Sequence, residues 1–138
     1  MKLEGLALKG DASNISLIIE YSKKSGIYVI NTSNLIQDII NLKEQPKNKR
    51  EDIAAKFQKE LGETYAEVAI KVAENNNVSK VGLTGGVAYN YTFSQAIKDK
   101  ISQAGLSFLE HDLIPPGDAG ISTGQLIGGL FQFLRENK

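Results

Sequence analysis

The chain has 138 residues, of which 41% are hydrophobic, a size and composition that fit one globular domain able to bury roughly 70% of its unfolded surface. Lysine plus arginine number 16 and aspartate plus glutamate 16, so the zero formal charge gives no electrostatic reason to bind nucleic acid or an anionic membrane. The absence of cysteine excludes a disulfide framework, a thiolate zinc site and a cysteine nucleophile; His111, the single histidine, argues against a histidine-rich metal centre and a Ser-His-Asp system with spare histidines; and no apolar run or leader-like N-terminus suggests a membrane span, leaving the cytosol as the expected location.

Residues 1–9 read as a short helix stopped near Gly10, too short to stand without a packing surface, which predicts that the chain begins in the middle of a larger architecture. Ile15 to Tyr21 and Ile27 to Ile30 are β-rich runs, predicting a hairpin with a loop of about five residues, Ser22 to Gly26. Thr32 and Ser33 are N-cap candidates for a helix carrying Leu35, Ile36, Ile39 and Ile40 and ending before Pro46. A long helix follows from near Asn48, where Asn48 and Glu51 resemble a capping box. Its apolar stripe is Ile53, Phe57, Leu61, Tyr65, Val68 and Val72, and Asn75-Asn-Asn77 ends it. Val81 to Leu83 reads as a buried strand, Thr84-Gly85-Gly86 as a turn, and Asn90 to Ala104 as a helix with Phe93, Ile97 and Ile101 inward and Gly105 as its C-cap. Leu106 to Leu109 is a further strand, Pro115-Pro116-Gly117 a rigid turn, and Asp118 a cap for a last helix reaching about Glu136. The alternation of strand and helix in the second half predicts an α/β fold, a mixed sheet covered by helices.

Chemistry concentrates at two corners. Leu83-Thr84-Gly85-Gly86-Val87 is a strand ending in two glycines before a helix. Ligands of open α/β sheets bind outside the carboxyl ends of strands, glycine lets the backbone approach them, and a helix start offers free N–H groups to an anion. The same residues also make an ordinary tight β-α turn. Asn90 can offer donors and an acceptor to a base edge or a sugar hydroxyl, or simply cap the helix it begins. Asp118, on a proline-stiffened turn, suits a metal-ligating oxygen or a helix cap favoured by the macrodipole. Gly120, Gly124 and Gly128 share one helix face at a cost of roughly 1 kcal/mol each relative to alanine, so something is expected to approach that face. Packing accounts for Gly124 and Gly128, and a ligand for Gly120. His111 is assigned no role.

Taken together, Leu83-Thr-Gly-Gly-Val-Ala-Tyr-Asn90 and Ile114-Pro-Pro-Gly-Asp-Ala-Gly-Ile-Ser-Thr-Gly-Gln125 resemble the C-terminal part of the HypF-type hydrogenase-maturation carbamoyltransferases. The same domain type occurs in the enzymes that make threonylcarbamoyl-adenosine in tRNA and in O-carbamoyltransferases. Leu3-Glu4-Gly5-Leu6-Ala7 looks like the family's Leu-Glu-x-Leu-Ala segment, and Val29 to Ser33 and Ile53 to Phe57 fall in family order. The resemblance implies an RNase H-like lobe of the actin-like, sugar-kinase-like ATPase superfamily, with residues 1–138 as the second lobe and the first lobe absent. It implies ATP and carbamoyl-adenylate as ligands, one divalent metal (iron or zinc) shared with the missing lobe, and transfer of the carbamoyl group to the C-terminal cysteine of a HypE-like acceptor. Position by position, Gly85 and Gly86 would meet the nucleotide with their backbone and Thr84 would stand at the usual serine. Asn90 would contact adenine or nearby substrate atoms, Glu4 the ribose hydroxyls, and Gly120 would lie close to the ligand. Asp118 would be the one metal ligand this lobe supplies. Tyr89 and Tyr91 replace glutamine and arginine, Gly117 and Ala119 replace asparagine and glycine, and Gln58 replaces histidine.

On this reading the isolated chain is an incomplete, inactive half-enzyme whose partners are the missing lobe and the acceptor, with a homodimer through the exposed lobe face as a further expectation and no nucleic acid or membrane partner. Two other readings use the same residues: a non-catalytic partner-binding lobe, and a lobe of a sugar- or acetate-kinase-like phosphotransferase.

Overall fold

The computed structural model describes residues 2–137. Helix α1 (Lys2–Ala7) is followed by a turn at Ala12–Asn14, strands β1 (Tyr21–Lys24) and β2 (Ile27–Ile30), helix α2 (Leu35–Glu44) and the long helix α3 (Arg50–Asn75). Strand β3 (Lys80–Gly82), helix α4 (Tyr91–Gln103), strand β4 (Ser107–Leu109) and helix α5 (Ile121–Glu136) complete the order.

The strands form two separate two-stranded sheets, β1 antiparallel to β2 and β3 parallel to β4, where the sequence predicts one mixed sheet. Each of these strands is only three or four residues long, so each ladder has few bonds to recruit a further neighbour. Ile15, Leu17 and Ile19 alternate inward like strand residues, yet their segment pairs with none of the described strands and is held by packing on α3 instead. The hairpin turn is tighter than expected. Ser25 (φ 50°) and Gly26 (φ 83°) make a two-residue turn with both centres left-handed, which matches the twist of the flanking strands.

Helix α3 organises the rest. Its buried side is largely small, with Ala54, Ala55, Gly62, Ala66 and Ala73, whereas Tyr65 and Val72 of the predicted large stripe are exposed. Small residues let α4 come close: a Cβ on Gly62 would stand 2.8 Å from the carbonyl oxygen of Phe93 and 3.0 Å from the Cβ of Ala96. Ala66, Phe93, Ile97 and Ile101 form the core between these helices and β3–β4, and Ile101 is fully buried.

The expected caps are redistributed. Asn48 does not make a capping box; its side-chain amide donates to the Leu42 carbonyl and so closes α2. Thr32 and Ser33 do not cap α2, because Asn31 takes the Ser33 N–H into a local turn. The start of α3 is tied instead by Asp52, which accepts from the Asp11 N–H (2.8 Å) and from the Asn14 amide (3.0 Å).

Helix α5 buries none of its residues, and the short turn before it is its main neighbour. Leu126 is 73% and Phe131 65% exposed. Gly124 and Gly128 face open space, so the packing predicted for them is not supplied by the described residues. No helix among the described residues is long and apolar enough to cross a membrane.

Candidate functional site

The site is built where β3 runs out. After Gly82 the chain reaches Gly85 with φ 94° and ψ 176°, a conformation open to glycine and strained for side-chain-bearing residues. A single turn, Gly86–Tyr89, then leads into α4. Asn90 is the N-cap of α4, its side-chain oxygen accepting the Phe93 N–H at 3.0 Å. The capping reading of Asn90 is therefore realised in this structure.

The second corner folds directly onto the first. The Gly85 N–H donates to the Pro116 carbonyl at 2.6 Å, and the Thr84 hydroxyl donates to the same oxygen at 3.0 Å. Gly117 lies so close to the Tyr89 ring that a Cβ there would stand 2.6 Å from it. At Gly120 a Cβ would meet the Pro115 carbonyl at 2.7 Å, so backbone crowding within the corner is sufficient reason for that glycine. His111 braces the same loop, its ring Nδ1 lying 3.1 Å from the Ile114 carbonyl oxygen. Thr84 and Gly85 thus spend their donors on joining the corners. The N–H groups of Gly86 and Val87, at the head of the turn, have no hydrogen-bond partner among the described residues.

Glu4 arrives from the other end of the sequence. Its carboxylate accepts the Tyr91 N–H at 2.9 Å, a second acidic or amide oxygen on the first turn of α4. What holds α1 there was not evident from the sequence. Gly10 sits so tightly on α3 that a Cβ would land on the Glu51 carbonyl, and Asp52 grips Asp11 and Asn14 just beyond it. These two hydrogen bonds, the Asp11 N–H first, hold the Asp52 carboxyl below its ordinary value of 3.8.

Asp118 is exposed on the Pro115-Pro116-Gly117 corner, two residues beyond the shared carbonyl. Its side chain caps neither the turn it begins nor α5, contrary to the capping expectation, because α5 starts three residues later behind Gly120. Among the described residues no group of three or more histidine, cysteine, aspartate or glutamate side chains could hold a metal ion.

Glu4 thus bonds just past one end of the Thr84–Asn90 turn, at Tyr91, while Asp118 follows two residues after the carbonyl bonded at its other end, although these segments lie far apart in sequence. Residues 1–125 match the family model described as the carbamoyltransferase, Kae1-like domain, second subdomain. The chain belongs to this family. It is 32% identical over 127 residues to the probable carbamoyltransferase HypF of Methanocaldococcus jannaschii, covering 91% of this chain and 16% of that protein. It is 32% identical over 81 residues to a tRNA N6-adenosine threonylcarbamoyltransferase of Caldicellulosiruptor saccharolyticus, covering 58% of this chain and 24% of that protein. The crystal structure of T. kodakarensis HypF matches this chain with a TM-score of 0.75 at 32% identity, over 95% of this chain and 16% of that one. Full-length HypF in its phosphate- and nucleotide-bound form gives a TM-score of 0.75 at 25% identity, over 90% of this chain and 16% of that one. The chain therefore spans about a sixth of the length of these HypF relatives.

Proposed function

We propose that this subdomain is the nucleotide-facing half of a carbamoyltransferase, which passes a carbamoyl group from carbamoyl-adenylate to a protein cysteine during maturation of a nickel–iron hydrogenase. The observation that carries the reading is the Pro116 carbonyl. By accepting from both Gly85 and Thr84 it locks the glycine turn against the Asp118 corner, so that one small ligand could touch both.

Each residue has a task that follows from its chemistry. The unpaired N–H groups of Gly86 and Val87 suit phosphate oxygens, and the absence of side chains at Gly85 and Gly86 lets the ligand come down onto the backbone. Asn90 offers a carboxamide to the base edge, and Glu4 an acceptor to the ribose hydroxyls. Asp118 contributes one hard oxygen ligand to a divalent ion that the first subdomain must otherwise hold; when bound, such an ion would neutralise developing charge on the transferring group. In the transfer itself the acceptor thiolate attacks the carbamoyl carbon, the carbon–oxygen bond to the adenylate phosphate breaks, and AMP leaves. Holding the two reactants in line is a task for both halves of the cleft, so the isolated subdomain should be inactive.

The superfamily reading of the fold, an RNase H-like lobe of an actin-like ATPase, is part of the same proposal. So is the companion subdomain. It is supported by the unburied apolar residues of α5 and by the small share of the HypF relatives that this chain spans.

The decisive experiment mixes the chain with a separately expressed first subdomain, supplies carbamoyl-adenylate, and measures release of AMP and transfer of the carbamoyl group to a HypE-like acceptor. Transfer that appears only with both halves is expected. A stably associated, folded pair without transfer would overturn the proposal. Phosphate transfer to a sugar or carboxylic acid would redirect it to a kinase-like reaction.

A further inference from the structure

We propose that Gln58 is a positioning residue of the nucleotide corner, holding in reserve the hydrogen bonds that Glu4 and Asn90 release when they turn to a ligand. The inference rests on the nucleotide reading of that corner and adds to it a residue on α3 that the reading did not use.

Gln58 is 3% exposed, and neither its amide nitrogen nor its amide oxygen has a hydrogen-bond partner among the described residues. Buried polar groups are paired in the large majority of cases, and an unpaired one weakens the fold. No other buried side-chain nitrogen or oxygen among the described residues is left in this state.

Its place in the fold is specific. Helix α1 runs back along α3: Gly10 abuts Glu51, Ala7 packs with Ala54 and Ala55, and Leu3 lines the same groove as Phe57. Glu4 is therefore level with Gln58. Helix α4 runs in the same direction as α3, with Gly62 against Phe93 and Ala96, and Lys100 paired with Glu67 at 2.8 Å. One turn, about 5.4 Å, back along α3 from Gly62 brings Gln58 level with the start of α4. On this register Gln58 lies beside the junction at which Glu4 reaches the first turn of α4, the turn that Asn90 caps.

Both of those side chains are committed to α4. Asn90 accepts from the Phe93 N–H and Glu4 from the Tyr91 N–H. A ligand that draws either of them away orphans a backbone donor in the first turn of a helix, where no intrahelical acceptor exists. The glutamine amide has what is needed to compensate: its oxygen can accept the released N–H, and its nitrogen can donate to the Glu4 carboxylate. Leaving this amide unpaired in the free chain destabilises that state. Pairing it in the bound state then favours the ligand, since only a difference between the two states shifts the equilibrium.

The test uses the whole 138-residue chain, ATP with magnesium as the probe, and nitrogen-15 NMR. In the wild type the Gly85, Gly86 and Asn90 signals should shift on titration, and the Gln58 side-chain amide signals should move with the same concentration dependence. Gln58→Met, apolar and of similar size, should melt no lower than wild type yet bind ATP at least about fivefold more weakly. Gln58→His, which keeps one donor and one acceptor, should restore affinity to within about twofold. Gln58 amide signals that stay still at saturation would overturn the proposal without recourse to any variant, as would a Gln58→Met chain that binds like wild type. A wild-type chain with no shift at Gly85 to Asn90 would overturn the nucleotide reading beneath it.

Discussion

Replacing Gly62 by alanine should destabilise this protein, against the helix-propensity rule. In an exposed helix interior the change is favourable by about 1 kcal/mol, because alanine loses less backbone freedom on folding. Here the added methyl would stand 2.8 Å from the Phe93 carbonyl oxygen and 3.0 Å from the Ala96 Cβ. The nearer atom belongs to the backbone of α4 and cannot swing aside, so α3 and α4 must part where they approach most closely. Overpacking costs about 1–3 kcal/mol, and a 2.8 Å approach to backbone belongs in the upper part of that range, about 2–3 kcal/mol, so with the propensity gain of about 1 kcal/mol set against it the net loss is about 1–2 kcal/mol. At this chain length about 4 °C of melting temperature accompanies each kcal/mol, so a fall of about 4–8 °C is expected in a calorimetric scan. Urea denaturation should show a lower midpoint with an unchanged slope. The displacement reaches the site, because Phe93 lies three residues from Asn90 and donates its N–H to it. A Gly62→Ala chain as stable as wild type, or more so, would refute the claim that close approach at Gly62 sets the spacing of the two helices.

Ile101→Ala should lower stability by about 2–5 kcal/mol in urea denaturation, because Ile101 is fully buried and little around it can collapse into the gap. The Asp52 carboxyl is held below its ordinary value in the folded state, so the stability it contributes is complete above the unfolded carboxylate range, near 3.8, and is lost as pH falls through the lowered folded value. Asp52→Asn should therefore flatten the acid limb of a melting-temperature profile below pH 4, and an unchanged limb would show that the two hydrogen bonds do not act as described. Asp118→Ala should leave the melting temperature unchanged, since its side chain is exposed and caps no helix, while abolishing carbamoyl transfer in the reconstituted pair. Transfer at the wild-type rate with Asp118→Ala would remove Asp118 from the metal role.

Much of the element order was legible from periodicity. The stop of α1 near Gly10, the end of α2 before Pro46 and the end of α3 at Asn75 follow from local rules about glycine, proline and asparagine, which act within a turn of where they occur. Errors fell where a partner distant in sequence took over a local role. Asn48 looked like a cap because Glu51 follows it, but Asp52 holds Asp11 and Asn14, residues about forty positions earlier, and no spacing rule reaches that far. Of the predicted α3 stripe, Ile53 enters the core with Phe57 and Leu61 packed against it, while the closest helix approach uses Gly62 and the alanines, because helix separation is set by the smallest side chains between two axes.

The two motif corners, Thr84–Asn90 and Ile114–Asp118, carry their chemical character in their residue types: bare backbone N–H groups, a carboxamide and a carboxylate on a proline-stiffened turn. These are properties of short segments, and composition and spacing reveal them. That the corners share the Pro116 carbonyl, that Glu4 crosses to the first turn of α4, and that Gln58 is buried without a partner depend on how α1, α3 and α4 pack. Such contacts arise from the mutual exclusion of side chains and water across the whole core, which no local stretch of the chain encodes alone.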